Sequence, residues 1–550
     1  MDTDAAQQAV GGGISTALDP LKLRDILALL ARPRALAGET PKLTAEWAKV
    51  LLGLSEIEIP ERDARYRDPA WRHPLFHRLA QTHIALTRSI ERMTEDPDAD
   101  WQANERARYV TNILTGGLSP ANFLVTNPAA LRRAIDTGGR SLLRGTRNMA
   151  RDVFRNNRMP TMVDTKPYRV GGNLACTAGS VVYREDMFEV LQYTPTTAQV
   201  HQRPLLFVPP ELNRYYVLDL APGRSMVEYA VAHGIQTFMV VWRNPRKDPK
   251  LRHGYWSLED YLQAHVRAFD VVREITGAED INLVGLCSGG VTSALIQAHL
   301  AAQGRQVVNS ATYLVTMLDA RQPNGVTMMA TPGVGATMAK KAAKGDVIDA
   351  RAVAHNFAWM RPTDLVYSYV VNNWLLGNDP PAFDVLAWND DATNMSATFS
   401  RDSNALLASG ALTEPDAVTL LGTPIDLSRV KSDCFVVAGL RDHITRWRPC
   451  YMTSQLLGGD TEMVVVNSGH IQSFVNPVAT SRYKYWTGTP DTADPDAWLE
   501  RAAKHDGSWW PRWIDWLVER SGPHGSAPAA LGSATHPGRE AAPGTYVLEK

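Results

Sequence analysis

Residues 281–300 read INLVGLCSGGVTSALIQAHL. A short apolar strand runs into Gly285-Leu286-Cys287-Ser288-Gly289-Gly290, and a helical pattern follows. This is a G-x-nucleophile-x-G turn in its required setting, between a strand and a helix. The glycines have a steric task, because larger side chains beside the apex collide with the neighbouring strand and helix. The helix N-terminus aims amides and a positive dipole end at the turn, which favours a thiolate and a developing oxyanion. A buried structural cysteine in a glycine turn is the bland alternative, and the flanking strand and helix weigh against it. Ser288 competes as nucleophile but falls one residue past the apex.

Outward from this turn, short apolar runs alternate with helical patterns. PLLFV (204–208), QTFMVVW (236–242), INLV (281–284), ATYLVTML (311–318), CFVVAG (434–439) and EMVVV (462–466) read as buried strands. Helices are expected at 223–233, 257–276, 291–303 and 448–457. The alternation predicts a mainly parallel sheet covered on both faces. With the nucleophile turn it predicts an α/β class protein of α/β-hydrolase fold. The segment of about 320–430 shows no clear strand but many aromatics, and is expected to be an inserted helical cap. Trp359, Trp374 and Trp388 in it suit either an apolar channel or plain core.

The remaining organisation follows from composition. Residues 1–18 read as a disordered N-terminus and 19–165 as a helical region, with Leu21, Leu23, Ile26, Leu29 and Leu30 at helical spacing. The catalytic domain is expected over 166–520, and 521–550, rich in Gly, Ala, Pro and Ser, reads as a tail.

In this fold the acid and the base follow the nucleophile in chain order. CFVVAG leads into LRDHITRW, which offers Asp442. EMVVV leads into NSGHIQSF, which offers His470. Asp319, Asp390 and Asp391 lack that position. His443 directly follows Asp442, so its side chain is expected to point elsewhere; it is carried as a supporting candidate near the substrate, with Asn213 and Trp388. The oxyanion is expected to meet the backbone amides of Ser288 and of Leu212, in the loop after PLLFV, where the prolines cannot donate.

Formal charge is −1, from 57 basic and 58 acidic residues, so no global field recruits nucleic acid or an anionic membrane. Four cysteines, without a CxxC pair, argue against a disulfide framework or zinc site. No signal peptide or transmembrane stretch is read, and the cytoplasm is the expected compartment. No metal or cofactor is expected.

Beyond about residue 60 the chain resembles the polyhydroxyalkanoate synthases. The resemblance rests on FVPPELNRYYVLDL (207–220), VVWRNP (240–245), GLCSGG (285–290), FAWMRPTDLVYSYVVNNWLLGNDPP (357–381), WNDDATNM (388–395), DHITRW (442–447) and SGHIQSFVNP (468–477). It implies polymerisation of (R)-3-hydroxyacyl-CoA into polyester through an acyl-cysteine, with Cys287, Asp442 and His470 as the triad. It also implies a homodimer at the surface of polyester granules, with the N-terminal region serving granule contact, dimerisation or both. The length resembles the single-subunit classes. HIQS after the base resembles class II, while KHDGSWWPRWIDWL (504–517) resembles class I, so the preferred side-chain length stays open. Where many members carry cysteine in the VPP loop, this chain has Glu211, of open effect. Whether Asp442 orients His470 or activates the hydroxyl itself also stays open. The competing functions are a thioesterase or depolymerase on the same scaffold, and a non-catalytic granule-coat protein.

Overall fold

The computed structural model describes residues 33–550 apart from Arg62 and Ser481. The expectations for 1–18 and for the helix over 21–30 lie outside the described residues. The chain divides into two compact units, one of residues up to Thr165 with 353–386, the other of 166–352 with 387–550.

The first unit is helical. Its described helices are α1 (Pro33–Leu52), α2 (Pro74–Thr94), α3 (Trp101–Gly117), α4 (Pro128–Asp136) and α5 (Arg140–Arg155). Local chemistry sets their starts: Asp100 accepts from the Ala103 amide at 2.6 Å, and Asn127 from the Ala130 amide at 3.1 Å. Tyr66, Trp71, Ala80, Ile84 and Ala121 form a small core. The 353–386 segment, expected within the cap, packs here through polar contacts. α5 buries a stripe of small or polar residues, Ser141, Gly145, Asn148 and Asp152. Asn148 donates to the Asn373 carbonyl at 3.1 Å, and the Trp374 indole donates to Asp152 at 2.9 Å. A Cβ on Gly145 would run into the Trp374 carbonyl oxygen. Over 363–375 the chain winds into two π-helical stretches.

The second unit is built on a ten-stranded sheet. Its strands are β1 (Gly179–Arg184), β2 (Phe188–Tyr193), β3 (Leu205–Val208), β4 (Thr237–Trp242), β5 (Ile281–Leu286), β6 (Val308–Leu314), β7 (Asp433–Gly439), β8 (Thr461–Val466), β9 (Lys484–Gly488) and β10 (Ala503–Asp506). The spatial order is 1-2-4-3-5-6-7-8-9-10. From β4 to β8 neighbouring strands run parallel, with antiparallel strands at both edges. The parallel core is the expected one, and its strands are continuous buried runs because helices cover both faces. This order, with the turn after β5, is the α/β-hydrolase arrangement. Main helices are α6 (Leu258–Thr276), α7 (Ser288–Ala302), α8 (Trp447–Leu456), α9 (His470–Phe474) and α10 (Trp510–Glu519). α6 begins with a capping box of Ser257 and Asp260 and ends at Gly277, whose φ of 70° suits glycine.

Register brings the site together. Leu286 and Val437 both pair with Leu314, and Gly439 pairs with Val466. The chain therefore leaves β5, β7 and β8 at one edge of the sheet, carrying Cys287, Asp442 and His470. Residues 521–550, expected only as a tail, are tied to this unit: His524–Ser526 pairs with Gln199–His201, and Tyr546 and Val547 are buried. Among the described residues no helix is long and apolar enough to cross a membrane.

Candidate active site

Cys287 sits at the apex between β5 and α7 with φ 52° and ψ −116°. A non-glycine residue held there stores roughly 1–3 kcal/mol of strain. The surroundings hold it: the Cys287 amide donates to the Leu314 carbonyl at 2.9 Å, and its own carbonyl accepts from Gly290 at 3.0 Å and Val291 at 3.1 Å. The flanking glycines are demanded by contact. A Cβ on Gly285 would lie 2.6 Å from Gly290 Cα, and one on Gly289 would lie 2.6 Å from the Val208 carbonyl oxygen. A Cβ on Gly290 would overlap the Thr316 side chain.

Asp442 and His470 meet across the next two loops. His470 Nδ1 lies 2.6 Å from Asp442 Oδ2, and both side chains are buried. The Asp442 carboxylate also accepts from the Ile444 amide at 2.8 Å, the Thr445 amide at 3.1 Å and the Thr445 hydroxyl at 3.1 Å. With Nδ1 turned to Asp442, the imidazole also feels the Cys287 thiol, which acts on its protonation as a hydrogen-bonding and charged group. Burial alone would lower the imidazole pKa, but the charge and hydrogen bond of Asp442, together with Cys287, outweigh it and raise it to about 10. The other cysteines differ. Burial raises the thiols of Cys176 and Cys450 and pushes Cys434 up to about 12, and none of these three meets an imidazole.

The α9 helix that carries His470 is held from behind by a tryptophan cluster. The Trp509 indole donates to the Ser473 carbonyl at 2.7 Å and the Trp510 indole to the Phe474 carbonyl at 3.0 Å. Both tryptophans are fully buried. They satisfy carbonyls at the end of a short helix that lacks intrahelical partners for them. Sequence reading did not assign them this role; the repeated tryptophans of 504–517 were the available signal.

The loop after β3 lies against the start of α7, as the Gly289 contact requires. The Trp242 indole holds it by donating to the Pro209 carbonyl at 2.9 Å. Among the described residues the amides of Leu212 and Ser288 donate to no backbone carbonyl in loops or turns, which suits the oxyanion role expected of them. Asn213 is half-buried, with its amide 3.4 Å from the Pro210 carbonyl. Trp388, one of the channel candidates, is buried and donates to the Arg214 carbonyl at 2.8 Å, so it braces this loop. Trp359 and Trp374 are instead part of the helical unit, where Trp359 packs edge-on to Tyr367. His443 is half-buried. The rival acids are engaged elsewhere: Asp319 pairs with Arg321 at 3.0 Å, and Asp391 with Lys550 at 2.6 Å.

Glu211, in the same loop, is 2% exposed. Thr292 Oγ1 lies 2.8 Å from Glu211 Oε1 and 3.2 Å from His265 Nε2. His265 Nδ1 lies 2.7 Å from the Tyr261 carbonyl oxygen. Burial raises the Glu211 pKa and lowers that of His265 to about 4. Glu211 Oε2 and Ser288 Oγ are both buried without a formed hydrogen bond.

Comparison with known proteins bears on this geometry. Residues 62–230 match the family profile described as the N-terminus of poly-beta-hydroxybutyrate polymerase (PhaC), and residues 218–477 match that of the alpha/beta hydrolase fold. The chain is 43% identical over 506 residues to poly(3-hydroxyalkanoate) polymerase 1 of Ectopseudomonas oleovorans, covering 92% of this chain and 90% of that one. It is 40% identical over 552 residues to poly(3-hydroxyalkanoate) polymerase 2 of the same organism, covering 98% of each. It is 37% identical over 515 residues to the poly(3-hydroxyalkanoate) polymerase subunit PhaC of Cupriavidus necator, covering 92% of this chain and 86% of that one.

Proposed function

We propose a function from one premise: this chain belongs to the poly(3-hydroxyalkanoate) polymerase family. It is an acyltransferase that polymerises (R)-3-hydroxyacyl units from their CoA thioesters into polyester and releases CoA. The observation that most supports a covalent route is the His470 imidazole bonded to Asp442 at 2.6 Å and acted on by the strained Cys287.

On this reading His470 takes the Cys287 proton, and the thiolate attacks the thioester carbonyl carbon. The amides of Leu212 and Ser288 receive the oxyanion. The C–S bond to CoA breaks, and the CoA sulfur leaves with the proton held on His470. The 3-hydroxyl of the next unit then attacks the acyl-cysteine while His470 accepts the hydroxyl proton. An ester forms, and the Cys287 thiolate is released. Positioned proton transfer of this kind is worth about 10²–10⁴-fold. Side chains and the CoA leaving group supply all of this chemistry, so the route calls for no metal or prosthetic group.

The reading extends to a homodimer working in the cytoplasm at the surface of its polyester product. Its support lies on α5, where Leu143 and Phe154 are 74% and 86% exposed and suit an apolar surface.

The test is turnover with (R)-3-hydroxybutyryl-CoA and (R)-3-hydroxyoctanoyl-CoA, following thiol release and the mass of insoluble polymer. Polymer from either substrate, absent with Cys287→Ala, is the expected result, and the ratio of the two rates gives the side-chain class. Thiol release with free hydroxy acid alone would identify a hydrolase instead. No turnover of either would favour a non-catalytic role.

A further inference from the structure

Glu211 is a buried acid without a cation: the groups acting on it are Thr292, Ser288 and its own backbone. With His265 kept neutral by its burial, the hydrogen-bond network around Glu211 closes most completely when the acid is protonated, although the Ser288 and Gly289 carbonyls, each 3.2 Å from Thr292 Oγ1, also lie within reach of that hydroxyl. The Tyr261 carbonyl, 2.7 Å from His265 Nδ1, can only accept, so Nδ1 carries the proton. With a neutral imidazole, His265 Nε2 is then a lone pair facing the Thr292 hydroxyl at 3.2 Å. Thr292 has a single proton to give. If Glu211 were ionised, the 2.8 Å contact would claim that proton. The His265 lone pair would be left unmet, and a charge would rest in a fully buried place with hydroxyls alone to meet it. If Glu211 is un-ionised, its Oε1–H donates to Thr292, Thr292 donates to His265, and His265 donates to Tyr261. Every proton then has an acceptor, and Oε2 remains a neutral acceptor facing the Ser288 hydroxyl.

We propose that Glu211 is a positioning residue that stays un-ionised and, bonded to Thr292 and facing Ser288, clamps the loop after β3 to the first turn of α7. The clamp spans the two segments whose amides, Leu212 and Ser288, are assigned to the oxyanion, and in that respect it rests on the function proposed above. Glu211 touches no reacting atom. Its effect is on the spacing of two donors, and a displacement of about 1 Å in such a site costs up to about 10²-fold in rate.

The test compares wild type, Glu211→Gln, Glu211→Leu, Thr292→Val and Thr292→Ser as full-length protein. Two readouts are used: the infrared C=O stretch of a neutral carboxylic acid at neutral pH, and kcat and KM for (R)-3-hydroxybutyryl-CoA. Glu211→Gln can still donate to Thr292 and accept from Ser288. It is expected to lose the acid band yet keep kcat close to wild type. Glu211→Leu is expected to lower kcat toward about 10²-fold with KM little changed. Thr292→Val should behave like Glu211→Leu, and Thr292→Ser should restore the rate, which keeps the test informative if the leucine variant misfolds. A wild-type spectrum without the acid band overturns the proposal, as does a glutamine variant as slow as the leucine one. If wild type releases no CoA, the polymerase reading fails, while the band and its loss in Glu211→Gln still decide the protonation.

Discussion

Two buried carboxyl groups serve the same edge of the sheet, from different loops. Asp442, after β7, receives two amides, a hydroxyl and an imidazole. Glu211, after β3, is as deeply buried but meets one hydroxyl on Oε1 and no formed hydrogen bond on Oε2. Burial is the same for both, so donors decide the difference. A carboxyl given several donors can hold a charge in the interior, and one given few is driven to the neutral form. The charge at Asp442 raises the His470 pKa, as the proposed base role requires, while neutral Glu211 acts by shape and hydrogen bonding alone.

The same chemical change at the two sites should therefore have unequal results. Asp442→Asn is expected to lower polymer formation by about 10²–10⁴-fold, because the base loses its partner. Glu211→Gln should change it little. A loss at position 211 as large as that at 442, in matched kcat measurements, would end the distinction. In the same variant, acyl-enzyme that still forms while chain growth stops would place Asp442 mainly in the second step.

A smaller effect concerns the clamp itself. Gly289→Ala puts a Cβ 2.6 Å from the Val208 carbonyl oxygen, so the β3 loop must shift. The expected cost is about 1–3 kcal/mol, read as a lower midpoint in denaturant, with a fall in kcat. Unchanged stability would show that the loop yields freely and is not clamped. Trp510→Phe removes the indole donor to the Phe474 carbonyl behind His470 and should cost about 1 kcal/mol in the same assay.

The smallest effect is a trend with pH. The folded His470 pKa is raised from 6.5 to about 10, so the protonated form is favoured by folding. Its stabilisation is complete below about 6.5 and is lost as pH rises through about 10. The stability difference between wild type and Asp442→Asn should thus shrink across that window. Glu211→Gln should instead gain on wild type as pH rises above about 4.5, because the wild-type acid, raised by burial, must take up a proton on folding. A constant gap for Asp442→Asn would show that its charge does not act on His470.

How much of this could be read in the sequence depended on how local the cause was. β3 to β8 were visible because strands covered on both faces are uninterrupted apolar runs. The edge strands β1, β2, β9 and β10 were not, since segments such as AKHD (503–506) owe their form to pairing with a neighbour. The placement of Cys287, Asp442 and His470 at one edge of the sheet was legible because each follows a strand in fixed order. The partners of Glu211 were hidden: Thr292 and His265 lie on α7 and α6, 81 and 54 positions along the chain. The packing of 353–386 against α5 was missed because aromatic richness suggested a cap. The stripe of Ser141, Gly145, Asn148 and Asp152 at helical spacing was the signal for a close polar helix contact.

The central claim is that Cys287 is the acylated residue, prepared by His470 and Asp442. It is tested most directly by mixing the protein with (R)-3-hydroxybutyryl-CoA, quenching in acid, and locating the adduct by peptide mass spectrometry. The account predicts a hydroxybutyryl group on Cys287 in wild type and none on Ser288 in Cys287→Ala. An adduct on Ser288, or polymer made at an undiminished rate by Cys287→Ala, would contradict it.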